Sequence, residues 1–590
     1  MNRYTAAVVV SVLWLGVLAP AWAGDENVIL EPSQGRPVIL AAGETFYFLM
    51  RLPPGLPRNV YVNLIHVHNP HSRQALQPTT PLSVLAGRFA NLVLKVPADV
   101  PPGVYDLELV GGETRHVSRR SVRVVDRFER RFRFVHLSNM NVGDLTAPRF
   151  DAVLPVEVNL LAPAFIVATG DFTEWARLRD DASSWRAVMD YLATFDAPVY
   201  VVCGDHDHEA SFTRYVGNSV VGTIDYGDYH GLLLLDHAGH PIERDADQLR
   251  WVANDLAANR NKVFNFIVGH SDELGLLSVW RSTGDVAKTL ADHRIRMIIT
   301  GGHVDWDGRE FANRLAGLDG LHYVRTHQSS PCMRDKATGI SHYRLIEVDG
   351  ENVTLNYPDD RSDRPGVHHS IPSGHLRVFY DGANDGSTPQ VTATVLNGLN
   401  RAFDDCRVWL RVAKTGGARP AVAGGGLVQA LDGKDHWVCE VRVDLPDKAA
   451  IKVMAAANGQ VPPPVPVDVE LTGPRELLFE ARTAADNLRY FHSDQRLVVR
   501  LTNQTDRPIA PWVVIRLNGT SVPVDPSVTG RWPIEIPPKQ SIDLPLRLAM
   551  GKVSPGPHEL MVYFLDDPLN RPVRFPVTLA IKPPTSQPER

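Results

Sequence analysis

The strongest constraint on how this chain folds lies between residues 130 and 358. Short apolar runs alternate there with longer amphipathic segments. The runs read "FRFVHLS", "AFIVATGD", "PVYVVCGD", "GLLLLDH", "VFNFIVGH" and "IRMIITGGH". An unbroken apolar run of strand length fits a strand buried on both faces. Between the runs, "ASSWRAVMDYLATF" and "DADQLRWVANDLAAN" carry helical spacing, the second with Leu249, Val252 and Leu256 as its apolar positions. This alternation predicts an α/β layered domain with a largely parallel sheet. Most of the runs end in a polar cluster. Ligands of open α/β sheets bind at the carboxyl ends of the strands. Asn139, Asn141, Asp171, Asp205, His206, His270, His303 and Asp305 are therefore expected on one rim.

The text on either side has a different grammar. Residues 24–127 alternate apolar and polar positions between Pro/Gly turns, as in "ETFYFLMRL" and "GVYDLELV", and predict an N-terminal β-sandwich of immunoglobulin-like type. The mixed-sign stretch "DRFERRFR" (126–133) reads as a junction running into a strand. A turn-rich linker (358–375) follows the central domain, 128–358. Two further all-β sandwiches are expected at 374–468 and 469–585, divided near "VPPPVPVD". The fold class is thus multidomain, with a central α/β domain between N-terminal and C-terminal all-β sandwich domains.

Residues 1–23 read as a signal peptide, with Arg3, an apolar stretch from Ala6 to Ala19 and an Ala21-Trp22-Ala23 cleavage site. No later run is apolar for long enough to span a bilayer. A secreted or periplasmic protein is expected. The formal charge of −6 leaves no nucleic-acid footprint. In an oxidising compartment cysteines tend to pair. Cys406 and Cys439, both in strand-like text of one segment, are expected to be bridged, and Cys203 and Cys332 to be buried free thiols.

The polar clusters carry the chemistry. Residues 204–209, "GDHDHE", gather five titratable side chains after one strand. A Gly-Asp turn after a strand is common by itself, and Asn139 and Asn141 taken singly read as turn residues. The ordered set says more. "SNMN" (138–141), "GDFTE" (170–174), "GDHD" (204–207), "GH" (269–270) and "GHVD" (302–305) each follow an apolar run. In this order they resemble the blocks D-x-H, G-D, G-N-H-[DE], a strand-end His, and G-H-x-H of the calcineurin-like metallophosphoesterases. Three blocks depart: D-x-H is Asn139-Met140-Asn141, the Asn of the third block is Asp205, and the last His is Asp305.

The resemblance implies two metal positions. Asp171, Asp205, His270 and His303 would hold one ion, a set suited to Zn, Mn or Fe. Asn139, Asn141, the bridging Asp171 and Asp305 would form an all-oxygen set, suited to Mg, Ca or Mn, or be vacant. The altered shell holds three carboxylates, Asp171, Asp205 and Asp305, which repel one another and need either raised pKa values or a bound cation. His206 would stand near the leaving group as acid or charge stabiliser, with Glu174 orienting it. His208 and Glu209 read as solvated loop, Trp306 as packing, and His327 as a pocket-shaping residue. The family's activity, hydrolysis of a phosphate mono- or diester by metal-activated water, is the expected function. The alternatives are a silent phosphoesterase-like domain whose β-sandwiches bind a protein or polysaccharide partner, or a metal-stabilised structural protein of the cell envelope.

Overall fold

The computed structural model describes residues 27–582 other than 53–59, 86–87, 143–149, 174–181, 218, 272–273, 285, 302–305, 308–320, 331–339, 356–369, 400, 417–418, 484–488, 519, 525–532, 552 and 554. The signal-peptide expectation, residues 1–23, lies outside them. The chain is mostly β and multidomain, and divides into two compact units, 1–374 and 375–590.

The first unit begins with two facing five-stranded sheets. One runs through Ile29–Glu31, Thr45–Arg51 and Phe89–Lys95. The other runs through Val38–Ala41, Thr114–Val125, Gly103–Gly111, Tyr61–His66 and Asn69–Ala75. Their alternating positions meet in a core of Phe46, Phe48, Leu64, Leu107, Leu109 and Val122. Period-two alternation gives each sheet one apolar face, and the two faces pack on each other here.

The region after residue 130 holds two six-stranded sheets, where the sequence predicts one. The first is built on β1 (Arg131–Leu137), β2 (Ile166–Thr169) and β3 (Val199–Val202), paired parallel. The second is built on β4 (Gly222–Tyr226), β5 (Tyr229–Leu233), β6 (Phe264–Val268) and β7 (Ile295–Thr300), with β8 (Trp306–Asp307) and β9 (His322–Arg325). Strands β5, β6, β7 and β9 are parallel. The strand His342–Asp349 pairs antiparallel with β1 on its other side, and Asn352–Thr354 extends the sheet beyond it. Residues 371–372, placed in the linker by the sequence, pair with that strand.

Splitting the strands over two sheets has a packing cause. Phe134, Phe165, Tyr200, Phe264, Phe266 and Met297 form one buried layer between the sheets. Aromatic side chains this large fill the roughly 10 Å gap between facing sheets. On the far side of the second sheet lie α4 (Ala246–Ala258) and α5 (Gly275–Thr283), which follow α1 (Val153–Leu160), α2 (Ala182–Leu192) and α3 (Glu209–Tyr215) in the chain. Val252 and Leu256 of α4 and Leu276 and Leu277 of α5 pack on Leu232, Ile267 and Ile298. Asp245 caps α4, its carboxylate accepting from the Gln248 N–H at 2.9 Å.

The N-terminal sandwich does a specific job for this domain. Strand β3 is the edge of the first sheet, and an open edge is a site for unwanted pairing. The segment Ser33–Arg36 covers it. Gly35 O accepts from the Val201 N–H at 3.3 Å, and the Arg36 guanidinium donates to Val201 O. Gln34 donates to Met189 O at 2.5 Å. The strand so held runs directly into Gly204-Asp205.

Among its described residues the second unit is all-β. It contains sheets of three, four and seven strands, with a large core that includes Leu477, Phe479, Leu501, Ile515 and Val562. The predicted Cys406–Cys439 bridge does not form: both side chains are buried, and no disulfide joins them. Their strands are neighbours, but Cys406 lies opposite Val443 and Cys439 opposite Leu410. A four-residue offset at about 3.3 Å per residue separates them by roughly 13 Å along the strand, beyond the ~7 Å that a disulfide spans. Cys203 is also a free buried thiol. Cys332 lies outside the described residues.

Candidate metal centre

Each predicted site residue within the described residues stands just past a strand end. Ser138–Asn141 follow β1, Gly170-Asp171 follow β2, Gly204–Asp207 follow β3 and Gly269-His270 follow β6. Loops from both sheets meet because their backbones approach closely. A Cβ on Gly170, whose φ is +76°, would stand 2.6 Å from Gly204 Cα and 2.7 Å from His270 Nδ1. Only glycine fits there. Met140 and Asn141 both donate backbone N–H groups to Asp171 O, at 2.9 and 2.8 Å, and knit the first two loops together.

Asp171, Asp205 and His270 converge, with ligand atoms all within 4.8 Å of one another. His270 Nε2 lies 3.0 Å from Asp205 Oδ1 and 3.3 Å from Asp171 Oδ1. Its Nδ1–H donates to Thr169 O at 2.6 Å. That bond fixes the ring and directs Nε2 at the two carboxylates, as a backbone carbonyl does behind a metal-binding imidazole. Burial alone would push the His270 imidazole down, but the carboxylates outweigh it and hold it well above its ordinary value. Burial likewise would push Asp171 up, and His270 outweighs it and holds Asp171 below the usual range. The His270 hydrogen bond holds Asp205 down too. In this arrangement a proton on Nε2 serves as the counter-cation of two carboxylates, one of them buried.

The Asn pair divides its work. Asn139 Nδ2 donates to Asp171 Oδ2 at 3.0 Å, and its Oδ1 accepts from Ser138 Oγ at 2.7 Å. Asn141 is 1% exposed, and among the described residues neither its Nδ2 nor its Oδ1 has a hydrogen-bond partner. Asn139, Asn141 and Asp171 all have left-handed backbones, with φ of 46°, 49° and 53°. Asn and Asp tolerate that conformation better than most residues. Strain of this kind, costing about 1–3 kcal/mol per residue, clusters at functional sites. The donor set, with the Asn141 Oδ1 as a further oxygen, fits a divalent ion beside Asp171.

The structure assigns a role to Asp207, which sequence reasoning left unassigned. It is buried, and its Oδ1 accepts from Phe172 N (3.0 Å) and Thr173 N (3.1 Å) and its Oδ2 from Gly204 N (2.9 Å). It staples the second loop to the third. Burial, and after it the Asp171 charge, push its carboxyl up to about 7. Its place at the end of "GDHD" was the available signal. His206, half-buried, donates its backbone N–H to Asp171 Oδ1 at 3.1 Å. His208 and Glu209 are helix-start residues where solvated loop was expected: His208 is the N-cap position of α3, with Nδ1 3.0 Å from Ser211 Oγ. His327 packs against His342, ring centroids 4.4 Å apart. Glu174, His303 and Asp305, and the side chain of Trp306, lie outside the described residues.

No protein-family profile and no curated protein matches this sequence. Solved structures with distant likeness include a purple acid phosphatase from yellow lupin, at 11% identity and TM-score 0.33, covering 56% of this chain and 73% of that one. Vps29 from Chaetomium thermophilum is similar at 11% identity and TM-score 0.22, covering 53% of this chain and 100% of that one. At such scores the site has to carry the functional reading. Among the described residues no helix is long and apolar enough to cross a membrane.

Proposed function

We propose that the rim is a divalent-metal centre and that the chain hydrolyses a phosphate mono- or diester. The observation that carries this reading is the Asp171–Asp205–His270 convergence, with His270 Nδ1 spent on Thr169 O and Nε2 left facing both carboxylates. His303 would complete that set, and Asn141 and Asp305 would serve an adjacent oxygen-rich position. A bound divalent ion supplies Lewis acidity toward a phosphoryl oxygen and lowers the pKa of its water. The chain's own residues hold the geometry. Thr169 O orients His270, Asn139 and the His206 N–H hold Asp171, and Asp207 ties the second and third loops together. His206, next to Asp205, would stabilise charge on a leaving group, and Glu174 would orient it. Export, from the reading of residues 1–23, belongs to the same proposal.

The test is metal analysis of purified wild type, Asp171→Ala, His270→Ala and His303→Ala, with turnover of generic phosphomonoesters and phosphodiesters. Wild type should carry a divalent metal and each variant should lose it along with turnover. Equal metal content in wild type and the His270 variant refutes the assignment.

A further inference from the structure

A histidine outside the predicted set stands at the same rim. Strands β5 and β6 run parallel with Leu233 opposite Val268. Carried past the strand ends, this register sets Asp236 beside Ser271, whose N–H donates to Asp236 O at 3.0 Å, so His237 follows on the same rim as His270. The Asp236 carboxylate is occupied, accepting from Gly275 N at 2.8 Å and Ile242 N at 3.3 Å. His237 is 5% exposed. Its Nδ1 accepts from the Gly239 N–H at 3.1 Å. An Nδ1 that accepts carries no proton, so the ring's proton is on Nε2. Among the described residues that Nε2 has no hydrogen-bond partner. The Glu209 carboxylate stands 3.9 Å away, too far for a hydrogen bond, and also lies 3.5 Å from His240 Nδ1. Burial, and after it the His270 charge, hold the ring down to about 4, so it is neutral at pH 7. A buried N–H without an acceptor is costly and calls for an explanation.

We propose that the His237 Nε2–H is a binding donor for an oxyanion oxygen, such as that of a phosphoryl group, held at the rim. The tautomer separates this role from metal ligation, because a protonated Nε2 offers no lone pair to a cation while Gly239 occupies Nδ1. The inference rests on the proposed metal centre and adds a substrate contact to it.

The experiment measures metal content and the affinity for inorganic phosphate, by calorimetry, of the zinc-loaded full chain. Three variants are compared with wild type. His237→Ala removes the ring. His237→Asn keeps an acceptor for the Gly239 N–H but has no donor at the Nε2 position. His237→Gln restores a donor near that position. All three should retain metal. The Ala and Asn variants should bind phosphate roughly 10-fold or more weakly, as expected for losing a hydrogen bond to a charged group, and Gln should recover most of it. Nitrogen-15 spectra of the wild-type ring should show the proton on Nε2. Phosphate affinity equal in wild type and His237→Asn overturns the proposal, as does loss of metal in that variant. A wild type that takes up neither metal nor phosphate fails the metal-centre reading itself and takes this inference with it.

Discussion

His230 of β5 is clamped between two carboxylates, and the clamp should be visible as pH-dependent stability. Its side chain is buried, with Nδ1 2.9 Å from Asp225 Oδ1 and Nε2 2.5 Å from Asp255 Oδ2. Burial alone would push the imidazole down. The hydrogen bonds to Asp225 and Asp255 outweigh it and hold the ring up to about 9, against an ordinary 6.5. At about 1.4 kcal/mol for each tenfold change in proton affinity, that difference corresponds to about 3 kcal/mol. The folded-state value is raised, so this stabilisation is fully present below 6.5 and is lost as pH rises through about 9. His230→Gln removes the titrating group. Because the chain has several domains, one global unfolding energy is not defined. The suitable assay is native-state hydrogen exchange of the β5 and β6 amides at pH 6 and pH 10, corrected for intrinsic rates. The wild type should exceed the variant in local stability at pH 6, and the gap should shrink by about 3 kcal/mol at pH 10. An identical gap at both pH values would refute the reasoning.

Gly170→Ala forces a Cβ against Gly204 and His270 at φ +76°. Overpacking costs about 1–3 kcal/mol and left-handed strain about 1–2 kcal/mol. Metal content should fall and the melting temperature drop, and a variant that holds metal like wild type contradicts the close-approach argument. Asp207→Ala leaves three backbone N–H groups without their acceptor. At about 1–3 kcal/mol each, it should destabilise the loops around the site by ~3 kcal/mol or more, and an unchanged melting curve would count against the staple. Burial pushes the Cys439 thiol up to about 12 and raises the Cys203 thiol as well. Neither should react with a thiol reagent until the protein unfolds, and reductant should leave the melting temperature unchanged. Mass mapping that finds Cys406 joined to Cys439 would overturn the observed register.

Much of the central domain was legible in the sequence because local physics dictates it. Runs such as Val199–Val202 and Phe264–Val268 are buried at every position, and a run apolar on both faces announces itself without an alignment. The polar residues directly after those runs had to lie at strand ends, so Asn139, Asp171, Asp205 and His270 could be placed on one rim in advance. What the sequence left open was anything set by contacts between distant segments. Periodicity fixes which face a side chain takes but not which strand faces it, and so the two-sheet division of the central domain and the four-residue offset of Cys406 and Cys439 emerged only in the fold. Thr169 O holds His270 across 101 residues of sequence. Asn139 spends its amide on Asp171, Asp207 gathers three backbone donors, and His237 keeps its proton on Nε2 because Gly239 reaches Nδ1. A residue's type states what it can donate or accept. Only the tertiary structure decides which partner takes each lone pair and proton, because burial removes water as the alternative and makes every such pairing a choice among the few groups within about 3 Å.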